Sequence, residues 1–437
     1  MLLQAPWRGN GVATPGPGRQ DHRGKARNAP SVQETAGPRP LSRPFWLIES
    51  GDFWRLWCVG LIVFVIRWVE TVAVGVFIYQ HTGSPFIVAL MTMLRLLPMG
   101  LFGAFLGAAA ERMERRTTLI IVLASMVITS LSLATLAHLN LLAVWHLALA
   151  SFINGIGWAT DNPVRRVMIG ESVGASSMGT AMSLDVGANN ASRMVGPTVG
   201  GLLLAGVGIS GVFTLSVILY TVALLAACRV HYRNAFAPGA MDSVLARIAE
   251  GLRLVRSDRR LIGTLTVTVI YNVFGWPFTS MVPVIGQDRL LLGPEGIGIL
   301  ASMDGIGAFA GAVGMAMYCR PASYRLAYVG GVALYMVMLT IFALVPLPAV
   351  AGLALVFTGL GGAGFSIMQA TLVYLSSPPE MRSRMLGVLS VCIGTGPVGF
   401  LALGWLADAI GAPWASAASG LTGLLMLLLA HPLWRRI

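Results

Sequence analysis

The stretch FVIRWVETVAVG, residues 64–75, sets Arg67 and Glu70 three apart inside an otherwise apolar run. A lone charge at the centre of a membrane helix costs roughly 3 kcal/mol on insertion scales, so such residues are kept where something needs them. At i, i+3 the two share a helical face. Burial favours the neutral form of a carboxyl group, while a nearby guanidinium favours the charged form. A proton-carrying site can exploit that competition, which makes Glu70 a candidate carrier. The same two residues also read as a static ion pair holding their helix against its neighbours. Later apolar runs are interrupted in the same way. Arg95, Asp185, Arg193 and Asp304 add charges, and Asn154, Trp158, Asn189, Asn272, Trp276 and Gln369 add uncharged polar groups and indoles.

The surrounding chain is built for hydrocarbon. It has 437 residues, 56% of them hydrophobic and only 11% charged, with a mean hydropathy of +0.75. A soluble domain carries about twice that charge fraction. About twelve apolar runs, each long enough to cross a bilayer as a helix, are read at about 56–79, 86–110, 117–138, 141–160, 178–205 and 210–230, then 260–285, 296–318, 324–345, 348–374, 384–408 and 412–433. The expected fold class is an all-α membrane protein of twelve helices in two six-helix bundles. The domain reading is a disordered basic tail over 1–45, a first bundle over 46–230, a linker over 231–259 and a second bundle over 260–437. Within the linker, MDSVLARIAEGLRLVRSD places Met241, Val244, Leu245, Ile248, Leu252 and Val255 on one face, as in a helix lying on a membrane surface.

The formal charge of +12 is almost entirely arginine, with Lys25 the single lysine. It is broken into short clusters between alternate apolar runs, such as Arg112, Arg115 and Arg116, then Arg165 and Arg166, then Arg382 and Arg384. This is the positive-inside pattern, which places both termini in the cytoplasm and accounts for the basic charge without nucleic acid. The tail is read as a segment that touches anionic lipid or as sequence ahead of the true start. Cys58, Cys228, Cys319 and Cys392 form no CxxC pair and are read as small buried apolar residues, not as metal ligands or a disulfide framework.

Two matches to enzyme motifs lack their context. GLGGAG (Gly359, Gly361, Gly364) fits a dinucleotide fingerprint but lies inside an apolar run with no strand before it. GESVG, around Ser172, lies in a cytoplasmic loop with no preceding strand. Lys25 has no phosphate-binding loop. No enzyme activity, cofactor or metal is therefore expected. In SSPPEMRSR, Ser377, Pro378 and Glu380 read as a capping box that opens the eleventh run.

GAAAERMERRTTL, between the second and third runs, resembles the loop signature of the major facilitator superfamily. Gly107, Arg112, Arg115 and Arg116 match it; Glu111 stands where the family has Asp, and Glu114 where it has Gly. The resemblance implies a cytoplasmic latch between the halves. LRLLPMGLFGAFLG, DNPVRR, SRMVGPTVGGLLLAGVG, QATLVYLSSPPEMRSRMLGVLS and GWLADAIG extend the likeness over nearly everything after residue 50. They resemble the branch that contains enterobactin exporters and macrolide-efflux proteins. Gly196, Pro197, Gly200 and Gly201 are similar to that family's antiporter signature and predict a kinked helix bared for close packing. The offset of about 200 residues between Gly196–Pro197 and Gly396–Pro397 suggests two parallel repeats.

By this resemblance the intramembrane polar residues line one central cavity. The implied activity is export of a small amphipathic solute, drug-like or siderophore-like, by alternating access in exchange for protons. The expected setting is a monomer in the cell membrane, with lipid as its other partner. An importer of the same fold, a lipid or lysolipid flippase, and a non-transporting scaffold or sensor are the alternatives.

Overall fold

The computed structural model describes residues 50–112, 114–174, 177–231, 255, 258–378, 381–435 and 437, without the side chains of 101–112 and 383. The tail over 1–45, the amphipathic segment of the linker apart from Val255, the side chains of Glu111 and Arg112, and Glu380 lie outside the described residues.

Among the described residues the structure is helical, without strands. The first half of the chain forms α1 (Gly51–Thr82), α2 (Pro85–Arg112), α3 (Arg115–His138), α4 (Val144–Val173) and α5 (Met178–Cys228). The rest forms α6 (Arg259–Ile270), α7 (Val282–Asp288), α8 (Pro294–Tyr318), α9 (Tyr324–Leu344), α10 (Pro348–Ser376), α11 (Arg382–Ile393), α12 (Gly396–Ile410), α13 (Ala412–Leu429) and α14 (His431–Trp434). The ends follow local chemistry. The Ser50 hydroxyl accepts from the Phe53 amide at 3.3 Å to start α1, and Gly83, at φ 63°, turns the chain out of it.

Nine helical stretches among the described residues are long and apolar enough to cross a bilayer. One of them, α5, runs 51 residues, about 77 Å at 1.5 Å per residue, more than twice what a bilayer needs. It breaks at Gly208, where φ 70° and ψ −176° lie outside helical space and suit glycine. Ala181 near its start and Ala227 near its end belong to one apolar cluster with Phe53 and Leu119, so the two arms run back alongside each other. α4 falls outside the nine. Its last turns carry Asp161, Arg165, Arg166 and Glu171.

Two stretches depart from regular α-helix. Between α6 and α7 the chain passes through a π-turn at Tyr271–Gly275 and a 3-10 stretch at Trp276–Met281, all within the membrane-length segment Arg259–Asp288. Pro277 and Pro283 supply no N–H for the regular ladder, which allows this rearrangement. Between α11 and α12 the interruption at Gly394–Thr395 falls just before Pro397, whose ring crowds the carbonyl four residues back.

The apolar core is forked. Around Val76, Ala89, Phe213, Phe278, Ile297 and Leu403 one cluster joins both halves of the chain. Toward the arginine-bearing helix ends the two halves no longer share it: its second-half part continues to Tyr328, Leu372 and Ala430, while the first-half part stops short of them. Two further clusters, each confined to one half, lie at those ends. One holds Phe53, Leu123, Met168 and Tyr220 of the first half, the other Leu261, Val373, Met385 and Leu389 of the second.

Three expectations need correction. Cys58 and Cys228 are exposed on the helix exterior and Cys319 and Cys392 are half-buried, so none of the four is a core residue. Ser377 does not open a helix. Its hydroxyl donates back to the Val373 carbonyl, closing α10, and α11 starts at Arg382 with Met381 at its cap. Arg165 is not a surface topogenic charge but is completely buried.

Candidate functional site

A cavity of about 450 Å³ lies where the two halves meet. α1 contributes Arg67 and Glu70, α2 Arg95, α4 Asn154 and Trp158, and α5 Asn189 and Arg193. From the second half come Asn272 in the π-turn, Trp276 at the start of the 3-10 stretch, Asp304 on α8 and Gln369 on α10. Eleven of the twelve residues expected to line a cavity are thus brought to this one.

Their pairing differs from the simplest expectation. Glu70 does not pair with Arg67 on its own helix. It meets Arg95 across the α1–α2 contact at 3.4 Å and accepts from Asn154 Nδ2 at 3.3 Å. Arg95 also donates to the Thr71 hydroxyl at 2.6 Å, which fixes its guanidinium between α1 and α2. Arg67 instead lays its guanidinium over the Trp158 ring at 3.7 Å. Helical spacing allowed the i, i+3 pair, but Arg95 reaches Glu70 from outside the helix and leaves Arg67 to an aromatic face.

The other ion pair crosses the cavity. Arg193 of α5 donates from Nε to Asp304 Oδ2 of α8 at 3.1 Å, and from Nη2 as well. Among the described residues, three arginines and two carboxylates therefore face the cavity, a formal surplus of one positive charge. Several polar atoms here have no hydrogen-bond partner among the described residues, including Glu70 Oε1, Asn154 Oδ1, Trp158 Nε1, Asn189 Oδ1, Asp304 Oδ1 and Gln369 Oε1. Buried polar groups are rarely left so, and their concentration around one cavity sets this region apart from the apolar packing elsewhere.

Asp185 is the residue not brought there. It lies deeper toward the arginine-bearing ends, joined to Arg165 and, at 2.9 Å, to Arg166. Arg165 also meets Asp161 at 3.4 Å and stacks over Phe64 at 4.9 Å. This buried cluster ties α1, α4 and α5 within the first half. Its signal was the i, i+4 spacing of Asp161 and Arg165 in DNPVRR.

Around Gly196, Pro197, Gly200 and Gly201, α5 stays helical through the proline and approaches its neighbours closely. A Cβ at Gly200 would fall 2.5 Å from the Val69 carbonyl oxygen, and one at Gly201 would fall 2.3 Å from that of Pro294. Only a residue without a side chain allows α1 and α8 to pack there. Of the loop residues, Arg115 bonds Glu171 at 2.6 Å and Arg116 bonds the Cys228 carbonyl at 2.7 Å, contacts that join α3 to α4 and α5.

The sequence reading missed Trp68, Thr71, Tyr271 and Phe365, all cavity-lining. Tyr271 stacks on Phe365 at 3.7 Å. The Gly275 and Pro277 interruption of the seventh apolar run was the available signal, because broken helices at membrane depth line cavities.

This architecture, helical halves around a charged cavity, is that of a membrane transporter. The family model described as transmembrane secretion effector matches residues 44–435, and the chain belongs to that family of the major facilitator superfamily. The chain is 28% identical over 371 residues to multidrug efflux pump Tap of Mycolicibacterium fortuitum, covering 81% of this chain and 88% of the pump. It is 21% identical to macrolide efflux protein A of Streptococcus pyogenes, covering 82% and 90% of the two chains. It is 20% identical to a staphyloferrin A transporter of Staphylococcus aureus, covering 86% and 95%. The crystal structure of nucleoside transporter NupG superposes with a TM-score of 0.71 at 11% identity, covering 88% of this chain and 99% of NupG, and shares the fold.

Proposed function

We propose that this chain is a secondary active exporter of a small amphipathic molecule, drug-like or siderophore-like, working by alternating access and driven by proton antiport. The forked core around the cavity carries this reading. Helices that share one core at one end and separate into two at the other are arranged to rock about the cavity between them. The efflux relatives support export as the direction.

In this reading the chain crosses the cell membrane twelve times, counting α5 as two passes and taking α2 and α4 as spans. The bundles are 46–230 and 260–437, with both termini cytoplasmic, as the positive-inside rule orients the arginine-bearing ends. Hydrogen bonds far from those ends join the halves, as between Tyr79 and Asp288 and between Ser84 and Asp408. The cavity is then closed toward the outside and reached from the cytoplasm. Arg67, Glu70, Arg95 and the other cavity residues bind solute, and Glu70 carries the proton. Gly107, Glu111, Arg112, Arg115 and Arg116 form the cytoplasmic latch in the state closed on that side; in this conformation Arg115 and Arg116 bond within the first half.

The test is reconstitution in liposomes with an imposed pH gradient, following movement of a macrolide and of an iron-free siderophore mimic. Proton-dependent movement of either supports the reading. Movement of neither, with headgroup-labelled lipid scrambled instead, overturns it in favour of a flippase.

A further inference from the structure

We infer that the cavity is selective for amphipathic organic anions, with the Arg67 guanidinium and the Trp158 ring forming the subsite that seats the anionic group. This rests on the reading of the cavity as a solute site and specifies the class of solute. The observation behind it is the distribution of charge. Arg95 is neutralised by Glu70, and Arg193 by Asp304, through direct contacts. Arg67 has no carboxylate within ion-pair distance among the described residues, and its guanidinium is covered on one face by Trp158 at 3.7 Å. A ring face attracts a cation but does not cancel its charge or satisfy its N–H donors.

The groups around Arg67 reinforce this. Trp158 stands on α4 against it, and its ring face holds the guanidinium plane in place. A carboxylate in front of Arg67 could accept two parallel bonds from its planar fork of donors, a bidentate match to one anionic group. The apolar body would then lie against Trp68, Tyr271, Trp276 and Phe365, aromatic faces that line the same cavity. A cationic solute meets the opposite situation. The free oxygens it would need, Glu70 Oε1 and Asp304 Oδ1, belong to carboxylates already paired with arginine, and Arg67 repels it.

The experiment measures binding of three probes with one ring system, 2-naphthylacetate, 2-naphthylacetamide and 2-naphthylethylammonium, by tryptophan quenching of the purified protein. Uptake of the same probes into proteoliposomes is followed in parallel. The carboxylate is expected to bind at least tenfold more tightly than the ammonium. Arg67→Gln should bring carboxylate and amide to equal affinity, and Arg67→Lys should keep a reduced carboxylate preference. Monodisperse elution of both variants, with retained amide binding, establishes that they fold. Absence of carboxylate binding, equal or tighter ammonium binding, or a carboxylate preference that survives Arg67→Gln overturns the inference. Carboxylate-selective binding without uptake of any probe leaves the inference standing and removes the transport reading. Uptake that favours the ammonium removes the inference and leaves transport intact.

Discussion

Arg193 of α5 and Asp304 of α8 are ion-paired across the cavity, and the backbones beside them touch. A Cβ on Gly305 would lie 2.5 Å from the Arg193 carbonyl oxygen. The pair is therefore held by close helix packing, and separating the two helices exposes both charges. Removing one partner of such a pair leaves an uncompensated charge and costs about 3 kcal/mol or more. Arg193→Gln and Asp304→Asn should each lower the unfolding midpoint in detergent and cut transport more than tenfold. The double variant should recover most of the stability but not the transport. Thermal unfolding and proteoliposome flux on the same preparations check both parts.

Glu70, like Asp304, has one oxygen without a hydrogen-bond partner among the described residues; its Oε2 is held by Arg95 and, unlike Asp304's, also by the uncharged Asn154. A proton on Oε1 would neutralise the group and end the ion pair with Arg95, while Oε2 could still accept both hydrogen bonds. Glu70→Gln should abolish accumulation driven by a pH gradient, while solute-for-solute exchange, slowed by the charge left uncompensated on Arg95, should persist. Asp185→Asn should not reproduce that separation, because Asp185 belongs to the Arg165 cluster outside the cavity. Flux measured at imposed gradients across pH 6 to 8 in both variants decides the assignment; a Glu70→Gln protein that still responds to the gradient removes Glu70 from the coupling role.

The buried Arg165 cluster makes a separate prediction about stability. A Cβ on Gly60 would come within 2.2 Å of Arg165 Nη1, and Asp161 and Asp185 leave that side chain no room to withdraw. Gly60→Ala should destabilise the first half by about 1–3 kcal/mol, the scale of overpacking in a tight interior. Gly187→Ala, on α5 with open space around it, is the control and should be close to neutral. Unfolding midpoints and membrane expression levels of the two variants provide the comparison.

Much of this architecture was legible in the sequence, because hydrocarbon thickness and the cost of buried charge are strong constraints. Residues such as Arg95, Asn154 and Asp304 were recognisable as interior from their polarity alone. Partner choice was not legible. Arg67 and Glu70 look paired on one helix, yet Arg95 of α2 and Trp158 of α4 take one each, and only the tertiary arrangement brings those side chains near. Asp185 illustrates a second limit. Its placement depends on depth along α5, which an apolar run does not encode, and its partners Arg165 and Arg166 look in the sequence like surface charges. Tyr271 and Phe365 escaped notice for the opposite reason. Aromatic residues in an apolar run carry no signal of which side they face until the π-turn displaces one of them toward the cavity.

The outer contact between halves offers the most direct test of the rocking motion. Ser84, just before α2, donates to Asp408 near the end of α12 at 3.0 Å, and the Phe86 amide donates to the same carboxylate at 2.9 Å. If the bundles rock, this contact must open in each cycle. Ser84→Cys with Asp408→Cys, joined by a short bifunctional methanethiosulfonate, should therefore stop transport, and a reducing agent should restore it. Wild-type protein carries Cys58, Cys228, Cys319 and Cys392 and serves as the reagent control. Binding of solute from the cytoplasmic side should survive cross-linking, since the cavity in this conformation lies behind the closed contact. Transport that continues through the cross-linked pair would mean the halves move little at this end, and the cavity would then have to exchange sides by local rearrangement of the broken segment Tyr271–Met281 instead.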